Sequence, residues 1–559
     1  MVISKLNYKQ RLGVSVWQQS RKNLSKLSRG NHDKLLSLVQ KLSPDLNISR
    51  IIIPPRVIKA IESGKLDLDK DVSLVDLQAA VKKRTLFSGN VLDLNYLHRV
   101  KRGPVQVVGS ILGAYIRLKV PALNKEKYDY AFMVHPRAYA DVLRGVPFLK
   151  YIPEKLGRAF VKRLPPFKLS NMTGLSDVNG KPLTGALMCI GWDREMFESD
   201  QLGREEKIAD LVLLAKNMGI EYTGFAALLP WASRYGQCLE GTVAKAVFDQ
   251  IVAGSGLTQT QIAELFENSG EINLKPKPLL DNLPRVADLN INRKIKKELR
   301  SLLKWADIVG KSLSDTTITT GHPFTVSIIA SYVKKVRELH PKKSPLIAIV
   351  GAAGSTGSCC SIKIIEDGAD NLLLVDKIKS TGVTNLGELD VTIKQINPKA
   401  KVELSTDLSD LKKADIVIVV SSAKGTIVNS EHLKPGAIVI DDSQPRNVDP
   451  KIAQERQDIR IVTVLAPLDG LIPDFYFDKH TPFTEATYTC AGDVYSRAAT
   501  FTEISATGPA TMAGVRVVEE MITKMKEATG LDLVRPVFYT YNRKVVSCED
   551  IEKITALSI

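Results

Sequence analysis

The 559-residue chain has no uninterrupted apolar run approaching the roughly 18 residues that cross a bilayer. Its longest candidate, PVQVVGSILGAYI at 104–116, stops at Arg117. The first residues, MVISKLNYKQRLGVSVWQQSRKN, lack the apolar centre and small-residue cleavage site of a secretory signal, so a cytoplasmic protein is expected. Cysteine is scarce: six residues, at 189, 238, 359, 360, 490 and 548, with no CxxC pair and no histidines at ligand spacing beside them. That excludes a zinc-ribbon pattern and argues against a disulfide framework, and no metal site is expected. The default for such thiols is to act as small buried hydrophobes.

Charge is present in excess of one sign. The net charge is +16, and residues 1–60 carry twelve Lys/Arg against Asp33 and Asp45, or +10. A basic face of this kind suits an anionic partner, whether a nucleic acid, an acidic protein or an anionic membrane. Residues 1–42 read as two basic helices punctuated by Gly30, with peripheral membrane contact as one use for them. The stretch GLTQTQIAELFENSG superficially resembles the opening of a DNA-binding helix-turn-helix, but the proline-broken INLKPKPLLDNLP that follows supplies no recognition helix. DNA binding is not expected.

From residue 128 the pattern becomes that of an α/β unit. YDYAFMVHP reads as a strand and turn, and SDVNGKPLTGALMCIGW as a hairpin. EEKIADLVLLAKNMGI has apolar residues at 208, 211, 212, 214 and 215 and stops at Gly219, the pattern of an amphipathic helix. Residues 250–315 are polar, lysine-rich and proline-interrupted, and read as an insertion. After 345, six runs (LIAIV, NLLLVD, KVELS, ADIVIVV, GAIVID, RIVTV) are continuously apolar, which means burial on both faces and hence a parallel sheet covered by helices. The expected fold is α/β: a doubly wound Rossmann-type parallel sheet, an N-terminal α/β substrate domain and a C-terminal helical segment. The boundaries expected are a basic extension at 1–127, the substrate domain with its insertion at 128–315, the dinucleotide-binding domain at 316–480 and a C-terminal segment at 481–559.

The loop after LIAIV, with Gly351, Ala353, Gly354, Ser355, Thr356 and Gly357, joins a strand to a helix, the setting in which GxxGxxG binds a dinucleotide. The first glycine makes the turn, the second lets pyrophosphate approach the backbone, and the third lets the helix sit close to the sheet. Asp376 ends the next strand 25 residues after Gly351 and is placed to bond the ribose, while Lys377 beside it suits a 2′-phosphate; NADPH is expected, with NADH as the other choice. Ser421, Ser422 and Lys424 follow the fourth strand at the edge where ligands bind. Cys359 and Cys360 fall on the loop's helix, facing pyrophosphate rather than nicotinamide, and read as packing thiols.

Several ordered stretches together resemble the long-chain acyl-acyl-carrier-protein reductases of cyanobacteria: ITTGHPFTVSIIASYVKK (318–335), IAIVGAAGSTGS, ADIVIVVSSAKGTIV and LKPGAIVIDDSQPRNV, preceded by FMVHPRAYADVLRGVPFL, VNGKPLTGALMCIGW and GIEYTGFAALLP. The resemblance covers about 128–245 and 316–559. It implies NAD(P)H-dependent reduction of a long-chain acyl thioester, on acyl carrier protein or coenzyme A, to a fatty aldehyde. It places the acyl-accepting cysteine in TEATYTCAGDVYSRA, with Tyr488 and Thr489 before Cys490 and Asp493 after it. His322 and His480 are the accompanying acid–base candidates. The helix after Cys490 is less apolar than that family's, and TMAGVRVVEEMITKMKEATG further on makes a better amphipathic helix without a cysteine. IDDSQPRNVDP also resembles glutamyl-tRNA reductases. A cofactor-binding scaffold, or a dehydrogenase of a small acid of the shikimate dehydrogenase type, are the competing readings.

Overall fold

The computed structural model describes residues 127–239, 316–377, 382–468, 472–473, 487–541 and 545–558, with positions 137, 146, 227 and 444 excepted, and the backbone of a short antiparallel pair at Phe87–Ser88 and Val91–Leu92. The basic N-terminal helices, the 250–315 insertion and His480 lie outside the described residues.

Two sheets are formed. The first holds β1 (Tyr130–Val134), β2 (Phe167–Ser176), β3 (Pro182–Cys189), β4 (Tyr222–Phe225) and β5 (Thr317–Thr319). Strands β3, β1, β4 and β5 run parallel in that order, and β2 pairs antiparallel with β3. The hairpin joining β2 to β3 turns at Gly180 (φ 82°), where Asp177 Oδ1 accepts from the N–H groups of Asn179 and Lys181, both at 2.9 Å. Helix α1 (Tyr139–Gly145) and α2 (Glu154–Arg163) follow β1, and α3 (Arg194–Ser199) and α4 (Gln201–Asn217) follow β3. The amphipathic pattern read for α4 is realised: Ile208, Leu211, Val212 and Ala215 are buried, Asp200 caps its start and left-handed Gly219 follows its end.

After β5 the chain enters α5 (His322–Leu339) and then the second sheet: β6 (Ile347–Val350), β7 (Asn371–Val375), β8 (Lys401–Ser405), β9 (Ile416–Val419), β10 (Ile438–Asp441) and β11 (Arg460–Thr463). All six apolar runs are strands, all parallel, in the order β8-β7-β6-β9-β10-β11, the Rossmann arrangement with its switch point between β6 and β9. Every residue of β6, β9 and β10 is buried, as continuous hydrophobicity requires. Each such Val or Ile contributes about 1.5–3 kcal/mol by leaving water. Helices α6 (Ser355–Glu366) and α7 (Leu386–Ile396) follow β6 and β7.

The expected boundary at 316 is corrected on one side. Strand β5 belongs to the first sheet, and the chain leaves that sheet only at α5. It returns at β12 (Ile472–Pro473), which pairs with β2. The C-terminal segment is more than helical. Besides α8 (Thr489–Thr500), α9 (Met512–Thr529) and α10 (Cys548–Thr555), it adds β13 (Phe538–Tyr539) and β14 (Val545–Val546) antiparallel to the outer edge of the Rossmann sheet beyond β11. Among the described residues no helix is long and apolar enough to cross a membrane.

One apolar core runs from Tyr130 and Phe132 of the first sheet through Phe324 and Ile328 of α5 and Val494 of α8 to Ile347 and Ile349 of the second. Two glycines set its tightness. A Cβ at Gly224 in β4 would lie 2.6 Å from Val494 Cβ, and one at Gly492 in α8 would lie 2.7 Å from the Phe324 ring. Gly224→Ala is therefore expected to push α8 away from the sheet and lower stability by about 1–3 kcal/mol, read as a lower urea midpoint at unchanged m-value.

Candidate active site

The carboxyl edges of the two sheets supply the site, and the glycine loop is its first half. Gly351 has φ 88°, which a side chain disfavours, and a Cβ there would lie 3.0 Å from the Cα of Ser421. A Cβ at Gly357 would fall 2.1 Å from the Gly351 carbonyl oxygen, so only glycine allows α6 to start this close to its own loop. Gly354 is the N-cap residue, and no side chain caps the first turn of α6. Asp376, just past β7, accepts from the N–H groups of Ala353 and Lys377, both at 2.8 Å. Bare helix N–H groups, a glycine cradle and a carboxylate beside it fit a dinucleotide's pyrophosphate and ribose.

The residues after β9 divide. Ser421 backs Gly351 directly, and its Oγ accepts from the N–H of Ala423 at 3.1 Å. The Ser422 carbonyl accepts from Arg194 Nη2 of α3 at 2.9 Å. Lys424 is 72% exposed and engaged with Glu198 of the same helix, Nζ to Oε2 2.6 Å. It ties the two halves of the protein together across the cleft.

Cys359 and Cys360 are buried on α6. Cys359 Sγ lies 3.8 Å from Met512 Sδ, and burial pushes its thiol up to about 12; burial holds the Cys360 thiol far above the ordinary range as well. Both are packing residues, because an apolar surrounding opposes the thiolate.

Cys490 stands elsewhere, in the first turn of α8 and partly exposed. The segment leading to it is fixed to the end of the Rossmann sheet, where Ala466 and Thr487 exchange backbone hydrogen bonds of 2.8 and 2.9 Å. On its other side is Gly321, left-handed at φ 74°, where a Cβ would lie 2.5 Å from Cys490 Cβ. The next residue, His322, opens α5, and its Nδ1 is 3.0 Å from Oγ of Ser355 in the cofactor loop. Ser355 Oγ also accepts from the N–H of Ala510 at 2.8 Å. Cys490, His322 and the glycine loop are thus brought together from three separate parts of the chain. Desolvation of the His322 niche lowers its pKa to about 4, so the imidazole is neutral at neutral pH.

The modest apolarity of the helix after Cys490 has a structural reason. Its Asp493 and Arg497 are buried and pair at 2.8 Å; Asp493 Oδ2 accepts from Thr319 Oγ1 at 2.6 Å, and Arg497 donates to the Ile504 carbonyl. Thr489 and Thr325 bond across to α5 at 2.6 Å. Sequence reading missed Tyr235, whose ring meets His322 edge-on at 5.6 Å between centroids. The only signal was the tripeptide RYG, a turn too irregular for any periodicity to mark.

No protein-family model matches the chain. By sequence it is 30% identical over 129 residues to the glutamyl-tRNA reductase of Caldivirga maquilingensis, a match covering 22% of this chain and 29% of that protein. The match thus spans under a third of that relative's length. Among solved structures, the glutamyl-tRNA reductase from Methanopyrus kandleri is similar at 13% identity and TM-score 0.21, over 50% of this chain and 54% of that one. A putative malic enzyme (malate oxidoreductase) is similar at 14% identity and TM-score 0.29, over 87% and 97%.

Two measurements check this geometry. Gly354 has φ −74°, which any residue adopts, and a Cβ there would lie 3.2 Å from the Gly351 carbonyl oxygen, so Gly354→Ala presses on the loop and fills the cradle; NADPH and NADH titrations by nucleotide fluorescence are expected to show at least about tenfold weaker binding, with the urea midpoint reporting any loss of stability. For His322 the folded pKa is about 4 against an ordinary 6.5. Between those values the unfolded chain binds a proton that the folded chain does not, so stability falls as pH drops from 6.5 to 4 and is recovered as pH rises. In His322→Gln that component of the pH dependence is expected to vanish from urea midpoints taken across the window.

Proposed function

We propose that the protein is a nicotinamide-dependent reductase that accepts an activated acyl group as a thioester on Cys490 and releases it as an aldehyde. The observation that carries this reading is the seating of Cys490 against Gly321, the residue before His322, with His322 bonded to Ser355 of the glycine loop. Bound at that loop, NADPH or NADH supplies hydride. Gly351, Gly354, Gly357 and the α6 N-terminus would hold the pyrophosphate, and Asp376 the ribose.

The chain's own part is acyl transfer. The Cys490 sulfur attacks the acyl carbon, a carbon–sulfur bond forms, and the bond to the carrier's sulfur or oxygen breaks, the carrier leaving as a thiol or alcohol with one proton. The positive end of α8 favours negative charge on the attacking sulfur. His322 is neutral and its Nδ1 is engaged with Ser355, so Nε2 is the atom at which it would take the thiol proton and return it to the leaving group. Hydride added to the acyl carbon, with the carbon–sulfur bond to Cys490 breaking and the sulfur taking up one proton, would return the free thiol with the aldehyde.

A long-chain acyl group on acyl carrier protein or coenzyme A is the substrate implied by the resemblance in 128–245 and 316–559. The net charge of +16 favours encounter with such an anionic carrier. The similarity to a glutamyl-tRNA reductase favours a second substrate within the same chemistry, a glutamyl group activated as its ester on RNA.

Intact mass spectrometry without nicotinamide distinguishes these. Palmitoyl-coenzyme A or the glutamyl thioester of N-acetylcysteamine is expected to add one acyl group to the wild type and none to Cys490→Ser, and the probe that labels identifies the acyl class. If neither probe leaves an adduct while NADPH still binds, the cysteine mechanism is wrong, and a small-acid dehydrogenase or a cofactor-binding scaffold takes its place.

A further inference from the structure

Residues Arg234, Tyr235 and Gly236 lie in succession in the left-handed region, with φ of 51°, 57° and 83°. Two consecutive side-chain-bearing residues in that region are costly, and such strain persists only where the surroundings impose it. Here they do. Arg234 Nε donates to Oε1 of the fully buried Glu205 at 2.7 Å, Tyr235 N–H donates to the Pro230 carbonyl at 2.6 Å, and Gly236 N–H donates to Ser233 Oγ at 2.8 Å. The Tyr235 carbonyl accepts from Gly508 N–H at 2.7 Å.

These contacts close a ring around the site. The segment containing Gly508 also contains Ala510, whose N–H reaches Ser355 Oγ; Ser355 meets His322 Nδ1; and the His322 ring meets the Tyr235 ring at 69°. His322 is therefore held on one side by the cofactor loop and on another by an aromatic edge that only this turn can present. We propose that Tyr235 is a positioning residue: the strained Arg234–Gly236 turn holds its ring against His322 and so fixes the imidazole in its bond to Ser355 of the cofactor loop. The contact is made by the ring, so the phenol oxygen is dispensable to it and the aromatic edge is not.

The test uses the full-length chain with Tyr235→Phe and Tyr235→Leu. Its catalytic arm rests on the acyl-reductase reading; its second arm does not. With palmitoyl-coenzyme A and NADPH, Tyr235→Leu is expected to lower kcat by about tenfold or more at little changed KM, and Tyr235→Phe to restore it to within about threefold. Independently of any substrate, the ring of His322 is followed by NMR of protein carrying 13C-labelled histidine, its signal assigned through His322→Gln. The Leu variant should shift that signal and the Phe variant should leave it near the wild-type position. Equal turnover in wild type and Tyr235→Leu overturns the proposal. If the wild type turns over neither palmitoyl-coenzyme A nor the glutamyl thioester, the function reading has failed and the NMR arm decides: a signal displaced by Leu and kept by Phe supports the positioning role, and one unmoved by Leu overturns it.

Discussion

Helix α8 carries the candidate nucleophile into the seam between the two sheets, and it can be buried there only because its charges are neutralised inside the protein. Asp493 and Arg497 are one turn apart on the helix; Asp493 also accepts from Thr319 at the end of β5 and Arg497 donates to the Ile504 carbonyl, while Arg497 Nη2 is buried without a hydrogen-bond partner. Breaking one member of such a pair leaves a buried charge at a cost of about 3–5 kcal/mol. The same interaction ties α8 to the end of β5 close to Cys490, since Thr319 lies two residues before Gly321, the residue against which Cys490 is packed. A polar helix in the middle of the molecule is thus the price of placing a thiol at the carboxyl edges of two sheets at once.

Around that fixed point the two halves are joined by short polar links rather than by a broad apolar face alone. Ser355 of the Rossmann loop bonds to His322 and to Ala510, and Arg194 and Glu198 of α3 reach the backbone of Ser422 and the side chain of Lys424. The links flank the glycine loop on both sides of the switch point.

Much of this architecture was legible from residue pattern. Runs of Val and Ile without alternation can be satisfied only between two helical layers, and all six became parallel strands, although the edge strand β8 leaves Lys401, Glu403 and Leu404 exposed where burial on both faces was expected. The glycine loop was legible because each glycine answers a separate steric demand, and the structure shows the close approaches at Gly351 and Gly357. What escaped was set by tertiary contact. Strands β13 and β14 have two residues each, too few for any period, and exist because the edge of β11 is there to pair with. Lys424 carried no mark of its partner, which lies 226 positions earlier in the chain. Tyr235 takes a conformation that its own sequence disfavours and that Glu205, Pro230 and Gly508 impose.

The cysteines show why proximity in sequence to a cofactor motif is a poor guide to reactivity. Cys359 and Cys360 adjoin the glycine loop, yet they face the sheet and α9, where an anionic sulfur has neither water nor donors to stabilise it. Cys490 is over a hundred positions away, but it sits in the first turn of a helix, partly open to solvent and packed against Gly321, the residue before His322. Nucleophilic chemistry needs the charged form of the thiol to be attainable, and only a polar, open setting provides that. Cys490 stands on a later helix, and α6 packs tightly on the sheet with no side chain capping its first turn.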